Sequence, residues 1–81
     1  MATKFEKVGD GRYTIFVRLT DGRLRGISVD RKQVPNPSAR GGAEKTEWHA
    51  YNRVVNLSKW GETRQEAYDN AIAELTKKGL L

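Results

Sequence analysis

Cysteine is absent from the 81-residue chain, and histidine occurs only once, as His49. Without thiols the chain forms no disulfide and offers neither a thiolate nucleophile nor a zinc site of the finger type. A single histidine, with no carboxylate at ligand spacing, also argues against other metal sites. We therefore expect neither a metal nor a cofactor.

Long apolar segments and catalytic motifs are also missing. No apolar run approaches the length of a membrane span, and the first residues lack the apolar centre of a signal peptide, so we expect a cytoplasmic protein. No serine has a histidine and an acid in an activating pattern, and neither glycine-rich phosphate-loop motif is present. We therefore expect no enzymatic activity.

Acidic residues are scarcer than basic residues, 10 against 15, which gives a net charge of +5. Such a balance favours an anionic partner, and of the usual ones we expect nucleic acid or an acidic protein, not a membrane. The alternative is a solvated surface with no functional meaning. The length leaves room for one hydrophobic core, so residues 1–81 are predicted to form a single domain.

A β-hairpin is the clearest structural signal. Asp21-Gly22 lies between two stretches rich in β-forming residues and predicts a two-residue turn. This turn pairs Arg18 with Arg25 and Phe16 with Ile27. Because side chains alternate along a strand, the hairpin has an apolar and a basic face. The apolar face carries Tyr13, Ile15, Val17, Leu19 and Leu24, and the basic face carries Arg12, Arg18, Arg23 and Arg25 around Phe16 and Ile27.

A third strand and a C-terminal helix complete the predicted fold. Residues 47–57 alternate like a strand, with Trp48 on its exposed side. Thr63 and Glu66 have the spacing of a capping box, and Gly79 is typical of a helix end, so a helix is predicted over residues 63–79. The predicted fold is α+β: a three-stranded antiparallel sheet packed on one C-terminal helix.

Two other segments have no predicted regular structure. Residues 1–11 form a lead-in that either adds a short strand or remains loose. Residues 31–46 contain both prolines and a Gly-Gly pair, which predict a long flexible basic loop. A loop of this length in a small domain is usually functional or disordered.

The basic sheet face and the loop form the candidate binding site. Arginines placed opposite each other need a counter-anion, guanidinium groups bind phosphate bidentately, and a small sheet fits the major groove of duplex DNA. A helix over the apolar face leaves the basic face open. The alternative is that these charges are solvated or paired with carboxylates of the same chain. The predicted nucleic-acid-binding residues are Arg12, Phe16, Arg18, Arg23, Arg25, Arg31, Lys32, Arg40 and Lys45.

The hairpin GRYTIFVRLTDGRLRGISVD and the helix start GETRQEAYDNAIAEL also suggest two families. Together they resemble the AP2-like, arm-type DNA-binding domain of tyrosine recombinases, which implies a sheet in the major groove of duplex DNA. The helix segment around Gly61, Thr63 and Glu66 is similar to the HicB-type antitoxin fold, which implies a protein partner. The long loop departs from the first pattern, and the acidic-aromatic middle of the second is missing.

The alternative function is a small inhibitor or adaptor, of the phage or mobile-element type, that binds a host protein. Its predicted anchors are Trp48, Tyr51 and Arg53, which would form an aromatic centre with a polar rim. Three strands leave two sheet edges, so either function is compatible with a homodimer formed through an edge.

Overall fold

The computed structural model describes residues 4–35 and 44–81, and it confirms an α+β fold with an antiparallel sheet and one C-terminal helix. The sheet has five strands instead of the predicted three, in the order β1-β2-β3-β4-β5. No helix of the described residues has the length and apolarity to cross a membrane. The elements are β1 Glu6–Gly9, β2 Arg12–Arg18, β3 Leu24–Pro35, β4 Glu44–Asn52, β5 Leu57–Gly61 and α1 Arg64–Lys77.

The two additional strands come from the lead-in and from the predicted third strand. Within the lead-in, β1 pairs with β2 through Glu6 and Thr14. The stretch 47–57 is not one strand, because a turn separates β4 from β5. The side-chain Oδ1 of Asn52 accepts hydrogen bonds from the backbone N–H groups of Val54 (2.9 Å) and Val55 (3.3 Å). Asn56 follows with φ 52°, a left-handed conformation that asparagine tolerates and that lets the chain reverse.

The turn between β2 and β3 has three residues, not the predicted two. The N–H of Gly22 donates to the carbonyl of Leu19, and the N–H of Leu19 donates to the carbonyl of Arg23, each over 2.9 Å. Gly22 has φ 86°, as expected when a type I turn is closed by a left-handed residue. The register therefore differs by one residue from the predicted one: Arg25 lies opposite Val17 and Ile27 opposite Ile15.

The predicted loop over residues 31–46 is largely strand where the structure describes it. Strand β3 continues to Pro35 and β4 begins at Glu44, with Lys32 opposite Glu47 and Val34 opposite Lys45. The prediction of a loop is thus wrong for residues 31–35 and 44–46. The remaining part of that loop, which includes both the Gly-Gly pair and Arg40, lies outside the described residues.

The helix packs on one face of the sheet at close range. Thr63 caps its N-terminus, where its hydroxyl oxygen accepts from the N–H of Glu66 at 3.0 Å, as the sequence predicts. At the other end Gly79 has φ 77°, and the N–H of Leu80 donates a hydrogen bond to the carbonyl of Leu75. Small helix residues allow the close approach. The buried core is Ile15, Ile27, Val29, Ala50 and Leu57 of the sheet and Ala67, Ala71 and Leu75 of the helix.

Candidate nucleic-acid interface

The side of the sheet opposite the helix is the open face. It is formed by the even-numbered residues of β2, β3 and β5 and the odd-numbered residues of β4, because Ile15, Ile27 and Ala50 of the alternate set are buried under the helix. Two large aromatic side chains on this face are substantially exposed, Phe16 at 56% and Trp60 at 43%. Exposed aromatic rings on an uncovered sheet are a common mark of a binding surface.

Three predicted residues of the hairpin do lie on the open face. Arg12, Phe16 and Arg18 alternate along β2 and point away from the helix. Arg18 is partly engaged, since its Nη1 donates to the carbonyl of Gly22 at 2.9 Å. The placement of Arg25 on this face was wrong: it lies opposite Val17 on the helix side, where its Nε is buried and has no hydrogen-bond partner among the described residues.

Three further predicted residues, Arg23, Arg31 and Lys45, do not join a common phosphate-binding surface. Arg23 lies in the turn, with its Nε 3.8 Å from Asp21 Oδ2. Arg31 is on the helix side, with its Nη2 3.5 Å from Asp10 Oδ2. Lys45 is on the open face, but its Nζ is shared between Glu47 at 3.5 Å and Glu62 at 3.7 Å. Arg40 lies outside the described residues.

Arg12 and Lys32 keep their charges available. Neither makes an ion pair within residues 4–35 and 44–81, and both side chains are exposed. The carboxylates directly opposite them are engaged, whereas the exposed Glu6 of β1 makes no ion pair within the described residues. Asp30, opposite Arg12, is only 5% exposed and accepts a 2.9 Å hydrogen bond from the Tyr51 hydroxyl, while Glu47, opposite Lys32, contacts Lys45. The centre of the open face therefore offers unpaired cations to an anionic ligand.

Three rings on β4 and β5 form an aromatic stack. His49 lies between Tyr51 and Trp60, with ring centroids 4.8 Å and 4.3 Å away and interplanar angles of 22° and 16°. The register explains the stack, since His49 is directly opposite Trp60 and two residues from Tyr51 on the same strand. His49 Nε2 is also 2.7 Å from the hydroxyl oxygen of Ser58, which fixes the plane of the imidazole.

The environment of His49 favours its neutral form. Burial lowers its pKa from the ordinary 6.5, and the positive charge of Lys32 lowers it further, while Asp30 acts in the opposite direction. Near neutral pH the imidazole is thus an uncharged member of the stack.

Lowering the pH is expected to destabilise the fold through His49. Because the pKa is lower in the folded than in the unfolded chain, the contribution of this residue is present above pH 6.5 and is lost as the pH falls through the folded-state pKa. Urea denaturation at pH 7.5 and pH 5.0 measures the loss. The His49→Gln variant is expected to lose less free energy of unfolding between pH 7.5 and pH 5.0. Equal losses in the two proteins would contradict the attribution of the pH dependence to His49.

A shallow groove of about 430 Å³ runs beside the aromatic stack. Its walls include two cationic side chains, Lys32 and Arg53, and the polar groups of Asn56 and Ser58. Arg53, like Lys32, makes no ion pair within the described part of the chain. A groove with cations, hydrogen-bonding groups and a ring wall has the chemistry to accept a phosphate and an adjoining planar group.

The predicted protein-binding anchors do not share a face. Trp48 lies on the helix side, opposite Arg31 and Gly61, and its ring is 5.9 Å from that of Tyr13. The prediction that Trp48 is on the exposed side was therefore wrong. Tyr51 is on the open face, and Arg53 follows it in the turn.

Trp60 and His49 are site residues that the sequence interpretation missed. The signal that identifies them is the pair of asparagines at 52 and 56, which marks a turn between two strands. With the turn in place, Ser58 and Trp60 alternate with buried Leu57 on β5, and Ala50 becomes the inward residue of β4. Both aromatic residues then fall on the open face.

Comparison of the chain with models of protein families, with curated proteins and with solved structures finds no match. The described residues also contain no group of three or more histidines and carboxylates arranged to hold a metal ion. The function is therefore inferred from the chemistry of the open face.

Proposed function

We propose that this chain is a small cytoplasmic nucleic-acid-binding domain that uses the open face of its sheet. The observation that carries the proposal is the position of Arg12 and Lys32, two exposed cations without an ion-pair partner in the described residues, on the same face as exposed Phe16 and Trp60. Cations supply the affinity for phosphates and rings supply contacts to bases.

The pairing of the charges on the open face supports its use as the binding surface. The outward side of the helix exposes the carboxylates of Glu66 and Asp69 together with the cations Lys77 and Lys78. On the open face Asp30 is buried and hydrogen-bonded and Glu47 contacts Lys45, while the exposed carboxylate of Glu6 lies on the edge strand β1, opposite Thr14. With a net charge of +5, a polyanion is drawn to the molecule and meets uncompensated cations on the sheet side.

Removing Arg12 or Lys32 is expected to weaken nucleic-acid binding and to flatten its salt dependence. Each phosphate that the variant no longer neutralises reduces the slope of log K against log salt by about 0.7–0.9. Fluorescence anisotropy with a labelled oligonucleotide, between 50 and 200 mM salt, measures both quantities for Arg12→Ala and Lys32→Ala.

The matched control is Lys77→Ala, which removes one exposed lysine from the helix. It is expected to leave the affinity within about twofold and the slope within about 0.3, because the charge is remote from the open face. Equal effects of Lys32→Ala and Lys77→Ala would contradict the use of this face. Salt-independent retention of one stoichiometric protein partner, with no bound oligonucleotide, would instead support the inhibitor or adaptor function.

A further inference from the structure

We infer that the open face prefers unpaired nucleic acid to duplex, with bases stacked on Trp60 and Phe16. This inference rests on the proposed function and narrows its ligand. The preferred ligand differs from the duplex DNA that the sequence suggested. The reason is that the open face exposes the aromatic residues Phe16 and Trp60 as well as the cations Arg12 and Lys32.

Trp60 presents an indole face to solvent. One face of the ring stacks on His49, with the ring centroids 4.3 Å apart, and the residue as a whole is 43% exposed. Strand β5 lies at the edge of the sheet, so no further strand of residues 4–35 and 44–81 lies beside it. His49, which is itself stacked on Tyr51, packs against the indole, and a base that stacks on Trp60 extends this row of rings.

Phe16 provides a second ring across the central strand. Between Phe16 and Tyr51, β3 contributes the small residues Gly26 and Ser28 to the open face, and the next open-face residue, Asp30, is buried opposite His49. The Phe16 ring leans over Gly26, where an added Cβ would come within 3.2 Å of its Cε1 atom, yet 56% of the side chain remains exposed. Gly26 and Ser28 therefore form a shallow depression in the open face, with Phe16 on one side and the aromatic stack on the other.

These rings are accessible only to bases that are not paired. In a duplex the faces of the bases are stacked on their neighbours, so a protein reads the edges with long polar side chains. Beyond Arg12 and Lys32 the open face has few such groups, because Arg18 is bound to Gly22, Lys45 is shared by two carboxylates and Arg25 lies on the other side. An unpaired strand, in contrast, can place phosphates near Arg12 and Lys32 and bases on the rings.

Three labelled ligands of equal length test the inference by fluorescence anisotropy at 50 mM salt. They are an oligothymidine of about twenty nucleotides, its duplex with oligoadenine, which stays double-stranded at 25 °C, and an abasic strand with the same phosphates. We expect the oligothymidine to bind at least about fivefold more tightly than either the duplex or the abasic strand, since only its bases are free to stack on the rings.

Variants locate the stacking. Trp60→Ala is expected to weaken binding of oligothymidine at least about fivefold and to leave the abasic strand within twofold, while Trp60→Phe retains most of the affinity. Phe16→Ala is expected to act in the same direction. Val8→Ala, which truncates another exposed apolar side chain on the opposite edge strand, is the matched control and is expected to change nothing.

The possible failures are distinct. If none of the three ligands binds in a salt-dependent manner, the proposed function itself is wrong. If the duplex or the abasic strand binds as tightly as the oligothymidine, nucleic acid is bound through phosphates and the stacking inference is overturned. The abasic comparison uses the unmodified protein, so it decides the question even if Trp60→Ala fails to fold.

Discussion

Replacing Ile27 by alanine is expected to reduce the free energy of unfolding by about 2–5 kcal/mol. Ile27 has no solvent exposure and lies opposite Ile15 beneath the helix, so truncation leaves a cavity that the surrounding residues fill only in part. For a domain of this size the total stability is about 4–12 kcal/mol, which makes the loss a large fraction of the whole. Urea denaturation followed by circular dichroism measures it.

Phe16→Ala is the matched comparison, since it removes a larger side chain from the same hairpin. With 56% of Phe16 exposed, the expected cost is under about 1 kcal/mol. In the register that a two-residue turn would impose, both side chains would share the open face and both truncations would be mild. Similar small costs would therefore contradict the observed register.

The C-terminal helix is predictable from sequence because its signals are local. The Thr63 cap, the spacing of Ala67, Ala71 and Leu75, and the glycine at position 79 act within a few residues of one another. None of them depends on a partner elsewhere in the chain. The helix observed over Arg64–Lys77 agrees with the segment predicted.

The hairpin register is less predictable, since it depends on contacts across the fold. Asp21-Gly22 suits a two-residue turn, but Thr20 joins the loop: its N–H donates to the carbonyl of Leu80 at 2.9 Å and its hydroxyl to that of Gly79 at 3.2 Å. The three-residue loop also buries Ile27 instead of exposing it. Because side chains alternate, a shift of one residue moves every side chain of β3 to the other face.

This shift explains which part of the candidate site was predictable. Arg12, Phe16 and Arg18 belong to β2, whose apolar alternate residues fix its orientation toward the helix in either register. Arg25 and Ile27 belong to β3, and the change of register moves both of them from the open face to the helix side. Trp60 was missed for a different reason, because a strand as short as β5 is recognised only after the turn at Asn52–Asn56.

The helix lies so close to the sheet that Gly61→Ala is expected to reduce the free energy of unfolding by about 3 kcal/mol. A Cβ at Gly61 would lie 2.4 Å from the backbone N of Ala67 and 2.8 Å from the backbone C of Glu66. Both are main-chain atoms of the first helical turns, so no rotamer change relieves the contact. The helix must move away from β5, and the packing of Ala67 loosens with it.

Gly9→Ala provides the control for Gly61→Ala, since it adds the same methyl group to the last residue of another edge strand. There the nearest atom is the Cδ of the flexible Arg12 side chain at 3.4 Å, an ordinary contact. We expect Gly9→Ala to change the melting temperature by under about 4 °C and Gly61→Ala to lower it by about 15 °C, because 1 kcal/mol corresponds to about 4–8 °C in a domain of this length. Differential scanning calorimetry separates the two. Equal melting temperatures would mean that the helix does not pack directly against the end of β5. The helix could then not be assigned to the sheet face opposite the proposed binding surface.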